Sequence, residues 1–243
     1  FRDDLLLFSP RSSRHFPMIT SGTARDSYSN DDVHGDRIRV LKQLLAFEES
    51  EDKEPILIVT SMQALLQPVP EKESLREATR ELRVGRRVDT DELQRWFVEN
   101  GYHATSAVEL PGEFSRHGGI LDIFAPEWEQ PVRVEFWDDE VESMRLFDIR
   151  SQRSIETCSR IELTSIRAFY RGAEHLAAYL PEASCVTLVE LGELDRQGRE
   201  FISRSADYQR LHGVQDVLSS LSRGGHALVS GLAAGALQQN IAM

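Results

Sequence analysis

Between Pro111 and Ser143 the chain alternates apolar and polar residues in runs too short for a helix, each closed by turn-forming residues. Gly112, Gly118-Gly119 and Asp138-Asp139 separate runs at Ile120–Phe124, Val132–Phe136 and Val141–Met144, and a similar run at Ala107–Leu110 precedes them. A period of two with tight turns commits this region to short, mostly antiparallel strands with one buried face and one polar face. Asp122, between Leu121 and Ile123, marks a half-buried strand, and Asp138-Asp139 makes the hairpin turn between the last two strands. The region holds no nucleophile, metal cluster or phosphate loop. Its shape suits docking better than catalysis.

The flanks follow another pattern. Asp89 with Glu92 three residues on predicts a capping box, Leu93, Trp96 and Phe97 line one helical face, and Gly101 takes the position just past the helix end. Before it, Ala78–Val88 reads as an exposed strand or strand pair around Gly85, rich in arginine. Toward the N-terminus, Leu5–Phe8 reads as a buried strand, residues 11–32 as a long loop, and Ile38–Phe47 as a helix ended by the charge run Glu48–Glu54. Ile56–Val59 reads as a buried strand, with Thr60 or Ser61 capping a short helix through Met62, Leu65 and Leu66 until Pro68 and Pro70 stop it. The C-terminal part returns to this layering: a helix near Ala173–Tyr179, a strand at Cys185–Val189, a helical stretch to Leu221 bent near Gly213, and a strand at Ala227–Val229. The expected fold class is α/β, with an α/β domain (1–73 and 164–243) interrupted by a small α+β, mostly antiparallel domain (74–163). Phe1 is no translation start and Gly235–Met243 reads as a helix barely begun, so the chain is expected to be a piece of a longer protein.

Forty Asp plus Glu against 28 Lys plus Arg give a net charge of -12, a field that opposes a phosphate backbone and favours a basic protein surface as partner. Cys158 and Cys185 have no zinc spacing, the seven histidines are scattered, and neither a Gly-Lys-Ser/Thr loop nor a GxSxG elbow occurs. No catalytic, cofactor-binding or metal-binding residues are expected, and none of the chemistry of an independent enzyme. No apolar run is long enough to cross a bilayer and no basic leader precedes an apolar core, which predicts a cytoplasmic monomer without membrane contact. Glu140 and Glu142 share a solvent-facing side. Phe124, Phe136, Trp137 and Phe147 are expected in the small domain's core. Phe114, Arg116 and His117 make either an aromatic anchor beside basic heads at an interface rim or a core Phe flanked by solvated bases.

Gly101-Tyr102, Pro111–Phe114, Gly118–Phe124, Val132–Ser143, Phe147-Asp148 and Ser151–Ser154 together resemble the N-terminal region of bacterial transcription-repair coupling factors, centred on their UvrB-like interaction domain. The excinuclease subunit UvrB shares this module. Ile58–Pro70 is similar to the coupling factors' exit into the domain, whereas residues 11–32, with only Phe16 and Tyr28 as aromatics, do not resemble UvrB's aromatic DNA-gripping hairpin. The resemblance implies a degenerate helicase-like (RecA-like) α/β domain without working ATPase motifs, carrying an inserted module that binds UvrA and recruits excision repair to stalled RNA polymerase. RNA polymerase and DNA would be reached only through segments outside this chain. By the same resemblance the UvrA-facing residues are His103, Glu113, Phe114, Arg116 and His117. The family usually has Arg directly before the double glycine, where this chain has His117. Alternatives are a module that packs against other domains of its own protein and holds it autoinhibited, or a fragment of UvrB or a related DNA helicase.

Overall fold

The computed structural model describes residues 13–19, 27–51, 54–167, 173–206, 208–222 and 225–229. In chain order the first elements are β1 (Ser13–Phe16), α1 (Ser27–Glu49), β2 (Leu57–Thr60), α2 (Met62–Leu66), α3 (Lys72–Glu77), β3 (Thr79–Arg83) and α4 (Thr90–Glu99). There follow β4 (His103–Ala104), β5 (Glu113–His117), β6 (Ile120–Phe124), β7 (Val132–Trp137), β8 (Glu140–Phe147), β9 (Ser154–Thr157) and β10 (Arg160–Thr164). The last are β11 (Cys185–Val189), α5 (Leu191–Arg204), α6 (Val214–Leu221) and β12 (Gly225–Val229). Contacts divide the chain into two units, one of residues 1–19, 40–69 and 173–243 and one of 20–39 and 70–172.

In the first unit β1 runs parallel to β2, and β11 runs parallel to β12. The Thr60 hydroxyl donates to the Phe16 carbonyl at 2.8 Å. Ser61 caps α2 by accepting from the Ala64 N–H at 3.2 Å, as its position before the apolar run predicts. Gln67 clamps Ile19 from both sides: its amide donates to the Ile19 carbonyl and its oxygen accepts from the Ile19 N–H, each at 2.7 Å. Met62, Leu66, Leu188, Val214, Val217 and Leu221 form the core. Gly198 lets α5 come close, since a Cβ there would lie 2.8 Å from Val214 Cγ2 and 3.2 Å from Met62 Cγ. The expected helix at Ala173–Tyr179 is a single 3-10 turn, Leu176–Tyr179, and the bend near Gly213 is a break, with Gly213 starting α6.

The expected loop over residues 11–32 is overturned at both ends: Ser13–Phe16 is a strand and α1 is already helical at Ser27. Neither signal is local. β1 exists because β2 offers it a parallel partner. The early part of α1, which belongs to the second unit, is held by a close backbone approach: a Cβ on Gly35 would sit 1.9 Å from the Pro126 carbonyl oxygen, and Arg39 Nε donates to the Glu127 carbonyl at 2.9 Å. The expected strand Leu5–Phe8 and the helix start at Gly235–Met243 lie outside the described residues.

The second unit is built on a six-stranded sheet in the order β4-β5-β6-β7-β8-β9, antiparallel except for β4 beside β5. A separate ribbon pairs β3 with β10. One sheet face carries Phe114, Leu121, Ile123, Val132, Val134 and Met144, and these pack with Leu93 and Phe97 of α4 and with Tyr102. Asp89 caps α4 by accepting from the N–H groups of Asp91 and Glu92, both at 2.9 Å. The reciprocal half of the capping box is not made, because the Glu92 carboxylate takes Arg80 in a two-pronged pair at 2.7 and 2.8 Å. Gly101 follows with φ +92, the left-handed turn its place predicts. The expected strand at Ala107–Leu110 is a loop instead, held by side chains of β5 rather than by strand pairing.

Candidate functional site

The five residues marked by the resemblance gather along β5 and its neighbour β4, yet they do not form one exposed patch. Their alternation along the strand decides where each points. Glu113 is 8% exposed, and its carboxylate accepts from the Glu109 and Leu110 N–H groups at 2.8 and 2.9 Å. It fastens the 105–112 loop over the strand and is not available as a surface contact. Phe114 is 3% exposed and stacks on Phe97 with ring centroids 4.8 Å apart, so the expected rim anchor is a core residue. In-register pairing of Phe114 with Ile123 makes this unavoidable, because Ile123 is wholly buried.

His103, Arg116 and His117 are exposed. The His103 N–H donates to the Gly112 carbonyl at 2.8 Å, which fixes β4 beside the loop. Arg116 turns toward the α4 side, where Nη1 donates to Asp91 Oδ1 at 2.8 Å and Nε to the Gly118 carbonyl at 3.3 Å. His117, one residue later, turns to the opposite face. Its Nε2 lies 2.8 Å from the Ser106 carbonyl and 3.0 Å from the Ser115 hydroxyl, which itself donates to Ser106 at 3.0 Å. The contact with a carbonyl requires the proton on Nε2. Between these two residues and β6, Gly118 has φ +61 and open space around it, and a Cβ on Gly119 would lie 2.9 Å from the Phe136 carbonyl oxygen. The turn is narrow, and its backbone abuts β7.

Behind His117, the polar sheet face carries a charge ladder. Arg133 forms a two-pronged pair with Asp122, both bonds 2.7 Å, and its Cζ lies 4.6 Å over the Phe147 ring. Hydrogen bonding to Asp122 holds the guanidinium pKa above its ordinary value. Glu135 binds Arg145 and accepts from the Ser143 hydroxyl at 2.7 Å. These groups satisfy one another. No group of three His, Cys, Asp or Glu among the described residues is arranged to hold a metal ion.

The stretch from β3 to just past β10, residues 81–169, which spans the whole six-stranded sheet, matches the UvrB interaction domain family. This segment is similar to UvrB interaction domains. The chain is 33% identical over 211 residues to the transcription-repair-coupling factor of Mycobacterium bovis, covering 82% of this chain and 16% of that protein. It is 32% identical to the transcription-repair-coupling factor of Bacillus subtilis over 162 residues, 66% of this chain and 13% of the relative. The same protein of Staphylococcus aureus USA300 is 32% identical over 182 residues, 74% of this chain and 15% of the relative. The chain thus spans about one sixth or less of the relatives it matches.

The matched segment also exposes a residue that sequence reasoning assigned to its core. Trp137 is 77% exposed, whereas Phe124 and Phe147 are buried and Phe136 is partly so. The signal was present in the sequence: neighbours on a strand cannot both face the core, and once Phe136 packs inward against Val141, Trp137 must point out. No helix among the described residues is long and apolar enough to cross a membrane.

Proposed function

We propose that this chain is a non-catalytic docking region that binds the excinuclease subunit UvrA as UvrB does, and so brings excision repair to a stalled RNA polymerase. The observation that carries this reading is the match of residues 81–169 to the UvrB interaction domain, which takes in the β5–β6 glycine hairpin with Arg116 and His117. Support also comes from the relatives, each named a transcription-repair-coupling factor. DNA translocation and polymerase contact belong to parts of such a protein outside this chain. The α/β unit carries the domain as an insertion in its chain, in the manner of a helicase-like domain that has no working ATPase motifs.

In this reading Arg116 and His117 contact the partner directly, His103 lies at the edge of the contact, and Glu113 and Phe114 act by holding the strand in place. Calorimetric titration of the chain with purified UvrA tests it. Binding in the micromolar range or tighter is expected, with Arg116→Ala weakening it by on the order of tenfold while the circular dichroism spectrum is unchanged. His117→Arg restores the guanidinium usual in the resembled family and is expected to tighten binding. Folded protein that gives no heat at concentrations on the order of 50 µM would sink the proposal.

A further inference from the structure

Trp137 is the most exposed large apolar side chain among the described residues, and no ring or guanidinium among them meets its indole. It ends β7, and Glu140, directly opposite on β8, shares its face. Asp138 follows in the turn with φ +58. Among the described residues the carboxylates of Asp138, Glu140 and Glu142 have no hydrogen-bond or ion-pair partner, and Asp139 has only Arg87, at 3.6 Å. The hairpin that carries this open indole thus holds four carboxylates, one of them directly across from it, and only one is paired with a guanidinium. The core does not explain the Trp, because Phe136 and Val141 already fill the inward positions of this hairpin.

The same sheet contains a completed version of this arrangement. Arg133 is fixed by Asp122 while its guanidinium lies over Phe147. At the hairpin tip the aromatic face and the carboxylates are present, but the one guanidinium paired there, that of Arg87, goes to Asp139 and not to the ring. We propose that the β7–β8 tip receives an arginine-bearing segment of the partner protein, with the guanidinium stacked on Trp137 and neutralised by Asp138 and Glu140. This inference rests on the docking reading above and adds to it a second contact with stated chemistry. Nucleic acid does not fit, because its phosphates would meet the free carboxylates. A purely apolar partner would strip water from those carboxylates with no compensating charge.

Two measurements decide it. The first is titration of UvrA with wild-type chain, Trp137→Leu (which keeps the site apolar but removes the π face) and the double variant Asp138→Asn/Glu140→Gln. Each variant is expected to bind on the order of tenfold more weakly, with unchanged thermal midpoint. If wild type binds and both variants bind equally well, the inference fails and the docking reading survives. The second measurement does not need UvrA: a nona-arginine peptide is added while the three tryptophan indole N–H resonances are followed by NMR. The Trp137 signal is expected to move while those of Trp96 and Trp128 stay, and the double variant is expected to abolish the movement. Should UvrA not bind at all, the docking reading fails, and this peptide result alone decides whether the tip binds arginine. A Trp137 signal that stays still, or that moves equally in the double variant, overturns the inference.

Discussion

Phe114 and Arg116 are two residues apart and lie on the same side of β5, yet they call for opposite experiments. Phe114→Ala removes a ring stacked on Phe97 inside the core and is expected to destabilise the domain by about 3–5 kcal/mol, measured by urea denaturation. A loss of partner binding in that variant would report unfolding rather than lost contact. Glu113→Ala leaves the Glu109 and Leu110 N–H groups without their acceptor and is expected to cost about 2 kcal/mol in the same assay. Burial was legible here in principle, since Phe114, Leu121 and Ile123 fall on one face once the glycine turn sets the register. The purpose of Glu113 was not legible. Its acceptors' partners are backbone groups in an irregular loop, and nothing in the sequence marks that loop as folding back over the strand.

Among the elements, α4 is the one most fully written into its sequence, because its cap, its apolar face and its terminating glycine all act over a few residues. The β5–β6 and β7–β8 hairpins were readable for the same reason. β4 and β1 were not, because each is very short and exists only through a parallel partner, across an irregular loop for β4 and far along the chain for β1. The start of α1 likewise depends on Gly35 fitting against Pro126. Gly35→Ala would improve helix propensity by about 1 kcal/mol in an isolated peptide. In the folded protein its Cβ would collide with a carbonyl oxygen, and net destabilisation of about 1–3 kcal/mol is expected. Thermal unfolding of the two proteins side by side checks the sign, and a stabilised variant would mean that the helix and the 125–127 segment do not touch.

Acid should weaken the molecule in two stages. His34 is buried, and burial, aided by nearby Arg37, pushes its pKa from 6.5 down to about 4. As pH falls, the unfolded chain therefore takes up this proton first. The stabilisation is complete above pH about 6.5 and is lost progressively toward pH 4, by roughly 2–3 kcal/mol. Below that, Glu81, Asp89, Glu92, Asp148, Glu193 and Asp195 contribute, since each carboxyl is held below its ordinary pKa by hydrogen bonds. Their contribution exists above the unfolded pKa and disappears as pH drops through the depressed folded values. Urea midpoints measured from pH 7.5 to 4 should fall for wild type and flatten in His34→Gln, whatever that variant's absolute stability.

The opposed directions of Arg116 and His117 also limit how any protein can hold this domain. One side chain leaves the sheet toward α4 and the next leaves from the far side, with a two-glycine turn too thin to separate them. A body lying flat on either broad face reaches only one of them. To engage both it must close around the end of the hairpin, as fingers close on the rim of a coin. Such a pinch covers little area, so its lifetime depends on a few groups at the rim, and the sheet face that packs on α4 is left undisturbed while it lasts.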